Sequence, residues 1–471
     1  MDKKYNQEDE KYLIDLGRDF IKSGEHDLAI GIFKKALNSN SKNATIYNEL
    51  GKAYYEKKSY NFAFEAYYKA ISIDPSNSEF YYNLGKVYVD INKLDPAIES
   101  YRKAIFVNSD NDLAYCNLGS AYAGKNLYDL AIENYSKAIS INPNNCNFYY
   151  SLGNIYALKN SYNLAIENYK KAVSISSSFY IAHYALGNVY INENKYDLAI
   201  ENYDKAVSIN PDFDWGYCSL GFGYANKGLY DLAIENYKKA ISINPDNAAF
   251  YYNLGNVYFN KDLNSFAIES YKKAISINPN NIDFYYNLGN VYASEELYDQ
   301  AIESYSKAIS LSPNDWDIYY NLGNIYAEKG LYDSAVKNYQ KVISINPNFD
   351  WAYHNIENVC YRKAEHDIAI KNYKKNNSIN LEFDWSYYNL GITYYKKGEL
   401  NLAIENFDKV ISINPNNDKA YYNLGNIYFD KNLYDLAIKN YKKAVSIDPN
   451  NGTYNNKLKL ASNKAQDSKD S

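Results

Sequence analysis

From residue 10 onward, apolar and small residues recur at fixed places every 34 residues, and within each period they are spaced by three and four, the spacing of helical faces. In the period that begins at Ala248, Tyr251, Leu254, Gly255 and Tyr258 share one face of a first helix; Ala267, Tyr271 and Ala274 share one face of a second. Asn260 to Leu263 supplies the turn between them, and Pro279 with Asn280 and Asn281 stops the second helix before the next period opens. Glycine marks the grid at Gly17, Gly51, Gly85, Gly119, Gly153, Gly187, Gly221, Gly255, Gly289, Gly323, Gly391 and Gly425, with Glu357 as the one interruption. With that glycine at position 8, thirteen repeats follow without insertion or deletion, from 10–43 and 44–77 through to 384–417 and 418–451. The chain is therefore expected to be all-α, an α-solenoid of thirteen helix-turn-helix repeats.

The small residues have a steric purpose. Every repeat has alanine at position 20, Tyr or Phe at position 24 and usually a second small residue at position 27, as in Ala97, Tyr101 and Ala104. Helices approach closely only where one offers Gly or Ala and the other inserts a ring, and the tyrosines are those rings. One helical pair cannot bury both faces, so repeats must stack in series and end in atypical copies. The first repeat, with Leu13, Phe20 and Ser41 at usually Tyr, Tyr and Pro positions, is expected to be an N-terminal cap behind a polar tail of residues 1–9. At the other end, residues 452–465 are expected to form a capping helix carrying Leu458, Leu460 and Ala461, before a disordered tail of residues 466–471. The eleventh repeat, 350–383, breaks four rules at once with Glu357, Cys360, Asn376 and Leu381, which marks either drift in a many-copy array or a hinge.

The run Tyr-x-x-Leu-Gly-x-x-Tyr, then Ala-x-x-x-Tyr, as in Tyr81 to Tyr88 with Ala97 and Tyr101, resembles the tetratricopeptide signature over residues 10–451. Where that family usually has Trp at position 4, this chain has Tyr in eleven repeats and Leu13 and His183 in the other two. The resemblance implies a right-handed superhelix whose first helices line a concave groove that takes extended or helical peptides.

Composition removes several alternatives. The 50 basic and 56 acidic residues give a net charge of −6 without long like-charge blocks, so the basic footprint of a nucleic-acid binder is missing. Met1 to Phe20 is charged throughout and no run of 18 apolar residues occurs, so a cytoplasmic chain without membrane insertion is expected. Cys116, Cys146, Cys218 and Cys360 show no metal or disulfide spacing, and His26, His183, His354 and His366 do not cluster. Acidic pairs such as Asp299 with Glu303 fall near lysines at positions 25 and 26, as in Glu235 with Lys238 and Lys239, and are read as solvated helix-face charges. No phosphate loop, metal set or catalytic triad is present in the sequence, and neither an enzyme nor a cofactor is expected.

The candidate chemistry is a set of amides and phenols. Asn83, Asn117, Asn253, Asn287, Asn321, Asn389 and Asn423 stand at position 6, Asn256, Asn290, Asn324 and Asn426 at position 9, and Tyr252, Tyr286 and Tyr320 at position 5. Asn is a poor helix former, about 0.6 kcal/mol worse than Ala, so its repeated use inside a helix asks for a reason. A ladder of amides can grip the main chain of an extended peptide, and A/T-rich codon usage accounts for the same excess of Tyr and Asn. The Asn-Leu-Gly-Asn runs are similar to the ladder in the tetratricopeptide part of O-linked N-acetylglucosamine transferases, whose catalytic part has no counterpart here. The carboxylate clamp of chaperone-tail receptors needs Lys at position 5, which no repeat supplies. Trp215, Trp351 and Trp385 stand at position 2 in Phe-Asp-Trp runs, either as contact anchors or as covers for the preceding helix end, with Trp316 one place earlier. The expected function is a scaffold that binds peptide segments of partner proteins. The alternatives are a recruiting arm of an enzyme system such as a glycosyltransferase, or an envelope assembly or secretion factor.

Overall fold

The computed structural model describes residues 7–362, 370, 371, 373, 374 and 384–467. Among the described residues there are 26 helices and no strand. The chain divides into two compact units, Met1–Pro245 and Asp246–Ser471. Within each unit a first helix of 13 residues, such as Ala44–Glu56 or Ile282–Ser294, packs on a second of 14, such as Tyr60–Ile73 or Tyr298–Leu311, which packs in turn on the next repeat's first helix.

Local chemistry sets the helix ends where the repeat frame puts them. The residue at position 34 caps the next first helix: the Asn281 side chain accepts from the backbone amides of Asp283 and Phe284, and Asn77 accepts from Glu79. Position 15 turns the chain into the left-handed region, as at Asn92, Asn126 and Asn160 (φ 57°, 60° and 56°) and at Gly228 and Gly330. The following amide then donates five residues back, as from Ser59 to the Tyr54 carbonyl at 2.8 Å. Asn and Gly suit that conformation, whereas Lys58 and Glu296 adopt it at a cost of roughly 1–2 kcal/mol.

The expected steric pairing is present. Every described alanine at position 20, from Ala29 to Ala437, is fully buried, and the rings at position 24 are at most 3% exposed. A methyl group added at Gly187 would stand 2.4 Å from the Tyr203 ring, and one at Gly289 would stand 2.7 Å from Tyr305. At these two positions glycine is thus required by the ring of its own repeat's second helix, and the tyrosine fills the space a side chain would take.

The ends differ in detail from expectation. The first helix spans Gln7–Lys22, so it begins inside the stretch read as a polar tail. The last helix runs Gly452–Asp467 and buries Tyr454, Ala461 and Ala465, while Leu460 is exposed and Leu458 packs at the edge of the core. The buried stripe follows 454, 458, 461 and 465, a helical spacing that leaves Leu460 on the opposite side. In the eleventh repeat the helix Asp350–Arg362 forms, and one apolar cluster runs from Ala335 through Ile356, Val359 and Tyr373 to Leu390 and Ile427. The side chains of Glu357 and Cys360, with Asn376, Leu381, His366 and residues 468–471, lie outside the described residues, as does the hinge expected there, while Gln466 and Asp467, expected to open a disordered tail, belong to the last helix.

Candidate functional site

The asparagines divide into two sets with different partners. At position 9 the amide oxygen accepts the hydroxyl of the buried position-24 tyrosine of the same repeat. Tyr271 donates to Asn256 at 2.6 Å, Tyr305 to Asn290 at 2.7 Å, Tyr339 to Asn324 at 2.8 Å and Tyr441 to Asn426 at 2.7 Å. Asn154 and Asn188 do the same for Tyr169 and Tyr203. A buried phenol needs such a partner, and leaving it unmade costs roughly 1–3 kcal/mol. Burial pushes the hydroxyl of Tyr305 well above its ordinary range, so the bond is made by the neutral phenol. The sequence reading assigned these asparagines to an outer ladder; the structure gives their oxygens an internal partner, because the glycine at position 8 lets the tyrosine reach across.

At position 6 the amide group donates to position 5 of the preceding repeat. Asn287 donates to the Tyr252 hydroxyl at 3.1 Å, Asn321 to Tyr286 at 2.8 Å, Asn423 to Tyr388 at 3.1 Å and Asn117 to Tyr82 at 3.0 Å. Asn83 donates instead to Asn48, which holds position 5 in the second repeat, at 2.9 Å. The same tyrosines lean on the core: the rings of Tyr252, Tyr286 and Tyr320 lie 6.0, 6.1 and 6.0 Å from the position-24 rings of their own repeats. Tyr252, Tyr286, Tyr320, Asn253, Asn287 and Asn321 are all half-buried. Burial, with Asp317 accepting at 2.6 Å, pushes the Tyr286 hydroxyl up to about 12, so Tyr286 is a neutral phenol at physiological pH.

The rung of Asn287 and Tyr252 retains hydrogen-bonding capacity. At Asn287 and Tyr252 the amide nitrogen and phenol oxygen satisfy one another, and among the described residues nothing donates to the Asn287 oxygen or accepts the Tyr252 proton. One acceptor and one donor thus remain. The pattern breaks at Asn389, whose preceding position 5 is His354, and the Asn389 amide nitrogen is buried without a partner.

Several features escape a reading by position alone. The lysine at position 14 reaches back to the aspartate at position 18 of the preceding repeat: Lys159 to Asp129 at 2.6 Å, and likewise Lys125 to Asp95 and Lys329 to Asp299. Asp299, expected beside lysines of its own helix, pairs with Lys329 because it opens its second helix next to the following turn. Exposed pairs of this kind contribute about 0–1 kcal/mol each. The position-26 lysines stand over the position-4 tyrosines, Lys273 at 6.0 Å from Tyr251 and Lys341 at 5.9 Å from Tyr319, while position 25 covers position 11 of the next repeat, as Lys272 does Tyr292 at 5.8 Å. These rings and lysines line clefts beside successive second helices, one of about 790 Å³ between Ile275, Tyr285 and Lys307. The near-constant spacing between Lys and Asp was the one signal in the sequence for the ion pairs.

The first repeats carry charge where later ones carry amides. Glu49, 2% exposed, takes Arg18 at 2.9 Å and Lys52 at 3.1 Å, and Lys52 also reaches Glu79 at 2.5 Å. This network joins the first three repeats and satisfies a buried carboxylate of the second. Among the described residues no group of three or more His, Cys, Asp or Glu is placed to hold a metal ion. Cys116, Cys146 and Cys218 form no disulfide, and burial pushes the Cys116 thiol up to about 12, away from reactive thiolate. No helix among the described residues is long and apolar enough to cross a membrane.

Comparison with known proteins follows the same frame. The family model described as TPR repeat matches residues 17–58, 51–91, 85–126, 124–159, 153–193, 187–228, 224–262, 265–295, 292–330 and 391–432. A second model, tetratricopeptide repeat, matches 316–349 and 418–451, the tenth and thirteenth repeats of the grid. No curated protein matches the chain. Among solved structures, a crystal structure of MamA is 31% identical over 34% of this chain and 94% of its own, with a TM-score of 0.32. One of YrrB, titled a TPR protein with an unusual peptide-binding site, is 27% identical over 38% of this chain and 93% of its own, with a TM-score of 0.33. The APC/C hetero-tetramer Cut9–Hcn1 is 16% identical over 96% of each chain, with a TM-score of 0.38. With its helical pairs, its glycine-to-ring packing and family-model matches over most of its length, this chain belongs to the tetratricopeptide repeat family.

Proposed function

We propose that the chain is a non-catalytic interaction scaffold that holds extended peptide segments of partner proteins along the first-helix face. The observation that supports this reading is the repeated rung of position-5 tyrosine and position-6 asparagine, which at Tyr252 and Asn287 leaves one donor and one acceptor after its internal bond is made, and at Asn321, where Tyr286 gives its proton to Asp317, leaves the acceptor. A peptide in extended conformation presents one N–H and one C=O per residue, and a rung offering one of each pairs with that main chain whatever its side chains are. Neighbouring first helices touch within a unit, so successive rungs stand roughly one interhelical spacing of ~8–10 Å apart, about three residues of extended chain at ~3.3 Å each. The half-buried tyrosine rings supply apolar contact between the rungs.

Binding of the full-length chain to an array of randomised nonapeptides tests this. Asn287→Ala with Asn321→Ala is expected to lower capture about tenfold across sequences with helix content unchanged, since each removes a rung without exposing core. Peptides N-methylated along the main chain lack the N–H donors and are expected to be captured weakly by the wild type. Equal capture of methylated and unmethylated peptides would sink the main-chain mode.

A further inference from the structure

The face of the first helices changes character in the eleventh and twelfth repeats. Trp351 and Trp385 are 48% and 40% exposed, so they do not cover a helix end; Trp316 does that, 4.7 Å from Phe349. The two indoles belong to one aromatic row. The Trp351 ring meets His354 edge-on at 5.6 Å, the His354 ring lies 6.3 Å from Trp385, and Trp385 stacks on Tyr388 at 5.6 Å with the planes 15° apart. Trp385 Nε1 donates to His354 Nε2 at 3.1 Å, and Asn358 shares that nitrogen at 2.9 Å, which places the imidazole proton on Nδ1. The row is thereby held in place without placing a positive charge inside it, since burial drives His354 down to about 4.

The charge around the row is acidic. Position 2 within residues 246–471 reads Ala249, Asp283, Asp317, Trp351, Trp385 and Lys419, and Asp384 directly precedes Trp385. Asp317 accepts from Tyr286 and Asp384 from Asn414 at 3.1 Å, both neutral groups, and among the described residues neither carboxylate has a lysine or arginine partner. Unpaired carboxylates beside exposed indole faces suit a cation that is planar and weakly hydrated. A guanidinium stacks on an indole while its N–H groups reach a carboxylate, which an ammonium or an amide does less well. In residues 1–245 position 2 holds Thr45, Glu79, Leu113, Asn147 and Ile181 before Trp215, so no second tryptophan follows it there.

We propose that Trp351, His354, Trp385 and Tyr388, flanked by Asp317 and Asp384, form a receptor for an arginine side chain of an extended peptide. This rests on the peptide-binding reading above and names the side chain that the aromatic break in the ladder selects.

The test uses the full-length chain on four nonapeptide arrays, randomised except for a central Arg, Lys, Gln or Glu. The Arg array is expected to capture roughly threefold to thirtyfold more chain than the Gln array, with Lys between them and Glu lowest. Trp351→Ala with Trp385→Ala is expected to bring the Arg-to-Gln ratio to about one. The Phe pair at these positions, which keeps an aromatic face of weaker quadrupole and guards against a folding defect, should give an intermediate ratio. Asp317→Asn with Asp384→Asn should lower the ratio most at low salt, whereas Asn287→Ala with Asn321→Ala should lower all four captures and leave the ratio intact. Peptide capture with an Arg-to-Gln ratio near one, or a preference that survives the alanine pair, overturns the arginine site alone. Absence of capture by all four arrays overturns it together with the scaffold reading.

Discussion

Replacing the position-8 glycine by alanine should have unequal consequences in neighbouring repeats. In isolation the change favours a helix by about 1 kcal/mol, because alanine loses less backbone entropy. At Gly187 the new methyl would sit 2.4 and 2.6 Å from Tyr203 ring carbons. That ring is 2% exposed and its hydroxyl is tied to Asn188 at 2.7 Å, so it moves only by breaking a buried hydrogen bond. Overpacking at about 1–3 kcal/mol and a lost phenol bond at about 1–3 kcal/mol, less the helix gain, give a net loss of roughly 1–5 kcal/mol. At Gly221 the nearest Tyr237 carbons are 3.1 Å away, and Phe222 at position 9 offers that hydroxyl no acceptor, so its ring can give. Gly221→Ala should therefore change stability by less than about 1 kcal/mol. Because repeat arrays open locally, native-state hydrogen exchange over residues 180–243 is the right assay, with exchange of the sixth repeat expected to rise roughly 5- to 5000-fold in Gly187→Ala. Equal or greater acceleration in Gly221→Ala would refute the argument that ring contact and hydroxyl tether set the requirement for glycine.

Two further outcomes follow from the same packing. Asn290→Ala should destabilise its repeat by about 1–3 kcal/mol by stranding the Tyr305 hydroxyl, and adding Tyr305→Phe should recover part of that loss; strictly additive effects in urea unfolding would contradict the pairing. The buried tyrosines Tyr101, Tyr203, Tyr237 and Tyr305, whose hydroxyls burial raises far above the ordinary value near 10, contribute stability that is complete below the unfolded pKa and falls as pH rises beyond it. Each should cost about 1.4 kcal/mol per pH unit above 10, so tyrosinate absorption and helix loss should rise together in one step. Titration of all tyrosines near 10 with helices intact would show that the rings are not sealed.

The sequence alone determined the repeat, its helix pairs, their boundaries from the second repeat on and the small-residue-to-ring packing. These depend on chemistry within about 34 residues: spacing of apolar positions, a left-handed turn residue at position 15 and an asparagine cap at position 34. It also placed Tyr252, Tyr286, Tyr320 and the position-6 asparagines on one face. Periodicity could not divide the asparagines by duty, since positions 6 and 9 lie one turn apart on the same helix. Only the second helix folded back decides that Asn290 meets Tyr305 inside its repeat while Asn287 meets Tyr252 of the repeat before. The partner of Asp299, the cation over each tyrosine and the exposed row of Trp351 and Trp385 likewise depend on which neighbouring repeat comes within reach. Short-range patterning writes the repeat, and stacking assigns its polar groups, because a side chain's hydrogen-bond partner is set by the one repeat it touches and not by the position it shares with twelve others.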